Sequence, residues 1–186
     1  VTPKPALLKS LLSRIKSEIP RIKKTFFGTF PSEVRPESIT YEVIEKIIPY
    51  IDNKKIIIGA QTASNSLLKK IRRGHTFDKV IEAVGILQNF GLTAELDFIF
   101  GLPGETENDQ QLTLEFLYDV LENKYPNVRI HTHTFMPLPG TDFENESLGE
   151  ITPEIEKIIG KLALKGKAYG EYQTQAKIIK NKFSVK

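Results

Sequence analysis

Apolar and polar positions along the chain follow two alternating periods. Runs dense in β-branched and aromatic residues occupy about Ile22 to Phe30, Lys55 to Gln61, Leu92 to Gly101 and Asn127 to Phe135, and each predicts a strand. Between them, apolar residues recur every three or four positions. Val43, Ile44, Ile47, Ile48 and Ile51 predict a helix from Ile39 to Ile51 capped by Ser38. Val80, Ile81, Val84 and Leu87 predict a second from Phe77 to Phe90, capped by Thr76 and closed by Gly91. Leu112, Phe116, Leu117, Val120 and Leu121 predict a third, from Asn108 to about Asn123. The strand starts lie 33, 37 and 35 positions apart, the length of one repeated βα unit. The order is βαβαβαβ, which requires a parallel sheet with right-handed crossovers.

Three further segments complete the pattern. A short helix from Ala63 to Arg73, closed by Gly74, is inserted after the second strand, a place where insertions usually serve a ligand. The Lys-rich ends, Pro5 to Ile19 and Pro153 to Asn181, are predicted helical and carry no evident chemistry. The Pro- and Gly-bearing turn from Pro137 to Gly149 is the one stretch with the composition of a linker.

Composition narrows the classes. With 186 residues, 40% of them hydrophobic, the chain has material for one compact domain with a core. The net charge of +3 is too small to drive nucleic-acid or membrane binding by field alone. The absence of cysteine excludes disulfides, thiolate nucleophiles and thiolate metal sites. Pro3, Pro5 and Pro20 interrupt the first twenty residues, which contain no unbroken apolar run, so neither a signal peptide nor a spanning helix is expected. A soluble cytoplasmic protein with no membrane partner is the expectation.

In parallel βα architectures ligands bind beyond the carboxyl ends of the strands. Four such ends are unusual: the turn from Phe30 through Glu33 to Pro36, Gly59-Ala60-Gln61-Thr62, Asp97 to Thr106, and His131 to Thr141. Strand alternation puts Leu96, Phe98 and Phe100 on one face and Glu95, Asp97 and Ile99 on the other. A carboxylate so placed needs hydrogen-bond donors, and a ribose diol offers two. Pairing with a neighbouring Lys or Arg satisfies it equally well. Gly101 and Gly104 allow close backbone approach, to a ligand or merely within a turn, and Glu105 can stabilise the first turn of the next helix. His131 and His133 share a strand face but lack a third ligand at a convincing spacing, so polar lining or a substrate contact is preferred to a metal.

These motifs together resemble the radical S-adenosylmethionine (SAM) superfamily. Asp97-x-Ile99-x-Gly101-x-x-Gly104-Glu105 resembles its GxIxGxxGE strand motif, with Asp97 at the first glycine. Gly59-Ala60-Gln61-Thr62 resembles the strand that supports the SAM ribose. The stretch from Leu67 through Arg73-Gly74-His75-Thr76 is similar to the LKxMxRGHT segment of methylthiotransferases and cobalamin-binding radical SAM proteins, and Met136 to Thr141 is similar to their proline-rich PGT element. The resemblance covers about residues 22–145.

It implies an α/β partial (β/α) barrel of about four parallel strands flanked by helices, over residues 1–150, with a helical extension over 151–186. It implies a SAM site in which Gln61 and Asp97 bracket the ribose, Arg73 (or Arg72, were the helix rotated) meets the methionine carboxylate, Ile99 and the backbone around Phe135 and Met136 line the adenine, and Gly101 lets backbone approach the cofactor. The superfamily's [4Fe-4S] cluster needs three cysteines in a CxxxCxxC loop, and this chain has none. Two missing βα units, roughly 70 residues, would account for that and for the start at Val1. The expected partner is therefore the N-terminal part of the same polypeptide, with cobalamin possible there, a small molecule or a tRNA as substrate, and methylation or methylthiolation as reaction. A cysteine-free SAM- or nucleotide-binding module and a noncatalytic interaction domain are the alternatives.

Overall fold

The computed structural model describes residues 3–29 and 32–170. Its centre is a sheet of four parallel strands in sequential order: β1 (Lys55–Gln61), β2 (Thr93–Phe100), β3 (Val128–Thr134) and β4 (Ala168–Tyr169). Helix α4 (Phe77–Asn89) connects β1 to β2, α5 (Glu107–Leu121) connects β2 to β3, and α6 (Pro153–Leu164) precedes β4. The short α3 (Asn65–Lys70) stands between β1 and α4, while α1 (Pro5–Glu18) and α2 (Tyr41–Ile47) precede the sheet.

One face of the sheet supplies the core. Ile56, Ile58, Leu96, Phe98, Phe100 and Ile130 are at most 1% exposed and pack with Val80, Val84 and Leu87 of α4, Leu117 and Val120 of α5, and Ile158 and Leu162 of α6. Phe98 sits among rings from both flanking helices, stacked on Phe116 at 5.8 Å and edge-on to Phe77 at 6.4 Å. Such residues contribute about 1.5–3 kcal/mol each by burial, which is why the period-2 and period-3.6 patterns dominate the fold.

Local chemistry sets the ends of the helices. Thr106 and Asp109 form a reciprocal capping box at the start of α5, and Ser64 caps α3 by accepting the Leu67 N–H. Asp109 also accepts hydrogen bonds from Ser64 and Ser66, so the first turns of α3 and α5 are tied together. Burial opposes the charge of Asp109, but these hydrogen bonds outweigh it and hold the carboxyl below its usual range. Thr40, rather than Ser38, caps α2; Ser38 instead ends the 3₁₀ turn Pro36–Ser38. The predicted helix to Ile51 stops being α-helical at Ile47, and Pro49, which has no N–H, sits in the 3₁₀ turn that follows.

Two predicted elements differ. The strand expected at Ile22 to Phe30 is irregular over its described part. It follows β1 through the Gly28 carbonyl, which accepts the Ile57 N–H at 2.8 Å, and through one parallel bridge between Val34 and Ile58. Gly28 (φ +60°) bends the chain there, and a Cβ on it would lie 2.4 Å from Val34 Cγ2. The fourth strand is instead Ala168–Tyr169, inside the stretch predicted as the terminal helix; Gly166 (φ +67°) stops that pattern two residues beyond α6. The rest of that predicted helix, to Asn181, lies outside the described residues, as does Phe30.

Candidate functional site

At the carboxyl ends of β1, β2 and β3 lies a cavity of about 360 Å³, lined by Gln61, Ile71, Arg73, Ile99, Leu102, His133, Met136 and neighbouring residues. Its position is the one that parallel strands dictate, and its volume falls within the range of small-molecule sites, about 300–1,000 Å³.

Its polar wall is built around Gly59. The β1–β2 register skips between Ile58 and Gln61, and Gln61 adopts φ +68°, a left-handed conformation that a non-glycine residue takes at some cost. The side-chain amide of Gln61 thereby donates to Glu33 Oε1 at 3.3 Å. Arg73 Nη2 lies 3.5 Å from the same oxygen and 3.4 Å from the Gly59 carbonyl. A Cβ on Gly59 would approach Arg73 Nη2, Gln61 Nε2 and Glu33 Oε1 within 2.6–2.8 Å, so the three side chains occupy the space that the glycine leaves. Arg73 Nε is buried and makes no hydrogen bond among the described residues, a donor left for a ligand.

The turn after α3 separates the two arginines. Arg72 (φ +55°) and Gly74 (φ +73°) reverse the backbone, and Arg72 points outward to Asp142 at 3.0 Å with 83% of its side chain exposed. Arg73 is the one that lines the cavity. His75, two residues on, has its side chain fully buried; burial, reinforced by the charge of Arg73, lowers its pKa.

Asp97 stands on the face that strand alternation gives it, two residues before Ile99, with His131 and Glu33 as its neighbours. It is buried but not among the cavity-lining residues, and its Oδ1 is 2.6 Å from His131 Nδ1. Burial, together with the charge of nearby Glu33, pushes its pKa up to about 7. His133 Nε2 lies 3.2 Å from His131 Nδ1 and 3.9 Å from Asp97 Oδ1. The third partner that the two histidines lacked in the sequence is therefore Asp97, the register partner of His131 on the adjacent strand.

Gly101 (φ +69°) does not line the cavity either. Its bare Cα faces Gly149, where a Cβ would meet the Glu150 nitrogen at 2.4 Å and the Gly149 Cα at 2.5 Å. Gly149 is equally bare toward the Phe100 carbonyl, and its N–H donates to Phe135 O at 2.9 Å. Glu105 accepts the Gly101 N–H at 3.0 Å, and burial raises its pKa. Ile99 and Met136 do line the cavity, Met136 from the loop that begins after β3.

Two residues had no role in the sequence reading. Glu33 lies in the two-proline turn already singled out as a strand end, a usable signal. Tyr169, which stacks on His131 at 4.6 Å and 15°, had none, because β4 was expected to be helical.

Comparison with known proteins converges on one group. The profile of the Radical SAM superfamily matches residues 3–117. A tRNA-2-methylthio-N(6)-dimethylallyladenosine synthase of Acinetobacter baumannii is 31% identical over 148 residues, covering 77% of this chain and 28% of that protein. Among solved structures, methylornithine synthase superposes with a TM-score of 0.61 at 20% identity, over 90% of this chain and 45% of that one. A radical SAM methyltransferase from Kitasatospora setae, solved with cobalamin and a [4Fe-4S] cluster, superposes with a TM-score of 0.53 at 16% identity, over 76% of this chain and 27% of that one. These two likenesses concern the fold. The chain spans only about a quarter of the length of the first curated relatives it matches. No helix among the described residues is long and apolar enough to cross a membrane.

Proposed function

The chain belongs to the radical SAM superfamily, and from that premise we propose that the cavity over Gly59 holds the nucleoside and the amino-acid carboxylate of SAM. The observation that carries this reading is the pairing, in one cavity, of Gln61 with an arginine whose buried Nε lacks a hydrogen-bond partner among the described residues. An amide both donates and accepts, which suits a ribose diol, and Glu33 beside it adds an acceptor. A planar guanidinium gives a carboxylate two parallel charge-assisted bonds, which Lys cannot reproduce. Ile99 and Met136 offer an apolar surface for adenine. Asp97, engaged by His131, is assigned to neighbouring chemistry rather than to the ribose.

A [4Fe-4S] cluster would supply one-electron reducing chemistry to an enzyme of this superfamily. The residues present do not fit that group, because the chain contains no cysteine. In our reading the cluster ligands lie on sequence other than these 186 residues, and this chain alone does not cleave SAM. For the enzyme that it forms part of, we propose methyl or methylthio transfer, with a cobalamin as a further cofactor and a small molecule or a tRNA as substrate.

Equilibrium dialysis with SAM tests the site. Arg73→Ala should weaken binding about tenfold or more, since hydrogen bonds to charged groups contribute about 1.5–3 kcal/mol, and Gln61→Ala about two- to tenfold, since neutral ones contribute about 0.5–1.5 kcal/mol. Arg73→Lys should not restore it, and Arg72→Ala should bind as wild type. Unchanged affinity in both Arg73→Ala and Gln61→Ala would sink the assignment.

A further inference from the structure

His131 and His133 alternate onto the face of β3 opposite the core, and Asp97, the register partner of His131, stands beside them on β2. Their donor atoms form a triangle with sides of 2.6, 3.2 and 3.9 Å. The point equidistant from all three is about 2.0 Å from each, the length of a Zn–N or Zn–O bond, about 2.0–2.2 Å. The two shorter sides are also hydrogen-bond lengths, so the same three atoms can serve as a hydrogen-bonded cluster or as ligands of one ion. His131 Nδ1 faces both other atoms, which makes it the shared corner of the cluster.

The surroundings favour a cation. Glu33 presses its charge on Asp97 from the β1 side. Glu95, one step down the same face, is already neutralised by Lys55 at 2.7 Å and Arg129 at 3.3 Å, whereas no Lys or Arg is bonded to Asp97 among the described residues. The His131 ring is held by its stack on Tyr169, whose hydroxyl donates to Glu95 at 2.8 Å, so the ligand face is oriented by a second layer of contacts. His133 also lines the cavity, so an ion held by these three atoms would border the space where a small molecule fits.

We propose that Asp97, His131 and His133 bind one divalent transition-metal cation of the zinc type, separate from any cysteine-held cluster, with open positions for an oxygen or nitrogen donor of the substrate. Two imidazoles and a carboxylate form a borderline donor set that suits Zn²⁺ or Co²⁺ better than Mg²⁺. The site is independent of the SAM reading, and its test contains no SAM.

The purified protein is stripped with chelator, loaded with Zn²⁺ or Co²⁺, desalted and analysed for metal. One equivalent is expected, and Co²⁺ should give the ligand-field spectrum of a site with nitrogen and oxygen donors. His131→Ala, His133→Ala and Asp97→Asn should each lower Zn²⁺ affinity about a hundredfold, at or above the losses known for outer-shell changes. Circular dichroism and metal-free melting temperature report whether each variant folds. Wild-type protein that retains no metal and gives no Co²⁺ spectrum overturns the proposal whatever the variants do. So does Zn²⁺ affinity unchanged in a folded His133→Ala variant.

Discussion

Toward α4 and α5, strand β2 presents Leu96, Phe98 and Phe100; one residue out of step, on its other face, it presents Glu95, Asp97 and Ile99. Both sets are largely buried, yet different forces hold them. The first set loses water and gains close packing, so each side chain stabilises the fold nearly by itself. The second depends on partners, because a buried carboxylate stabilises nothing until its charge is met. Glu95 is met in full, by Lys55, Arg129 and the Tyr169 hydroxyl. Asp97 is met by an imidazole and crowded by Glu33. The contrast teaches that the apolar face explains why the chain folds, while the incompletely balanced end of the polar face is where we propose that it acts.

The comparison breaks most visibly at Phe98. Phe98→Ala should cost about 3–5 kcal/mol in urea unfolding, the usual result of emptying an aromatic core site. On the other face, Glu95→Ala should cost less, about 1–3 kcal/mol, since Lys55 and Arg129 are 46% and 40% exposed and return to water. Equal losses at the two positions would mean that the polar face is as structural as the core.

Asp97 sharpens the comparison through pH. Its folded pKa of about 7 stands above the ordinary 3.8, so the folded state holds the proton more tightly than the unfolded chain. The stability this confers is present below the unfolded value and is lost as pH rises through about 7. With chelator present, Asp97→Asn should melt like wild type near pH 4 and at a higher temperature at pH 8. A difference that stays constant across that range would remove the charge-crowding account. The smallest effect belongs to Arg72→Ala, whose surface pair with Asp142 should be worth no more than about 0.5 kcal/mol by thermal melting.

Much of this arrangement was legible in the sequence, for reasons of period. The three long strands and the helices between them follow from alternation and helical spacing, and Gln61, Arg73, Ile99 and Met136 stand together where strand ends predicted ligands. What escaped depends on backbone placement. A one-residue alternation puts Asp97 on the correct face, but only the β2–β3 register sets it beside His131 rather than over the cavity. Glu33 reaches the site because Gly59 leaves room, a steric fact that no period encodes. Ile22 to Phe30 has strand composition, yet Gly28 bends it where its carbonyl meets β1, and the single bridge to β1 comes only later, at Val34. Tyr169 entered the polar face through a two-residue strand too short to leave a pattern.

The bare contact between Gly101 and Gly149 reaches further than its own fit. Together with the Gly149 N–H bond to Phe135, it closes the intervening loop at its base, and that loop carries Met136, Leu138 and Phe143 into the cavity. The wall of the cavity is therefore seated on the sheet at a single point, and a side chain at either glycine would lift Met136, Leu138 and Phe143 together from their socket.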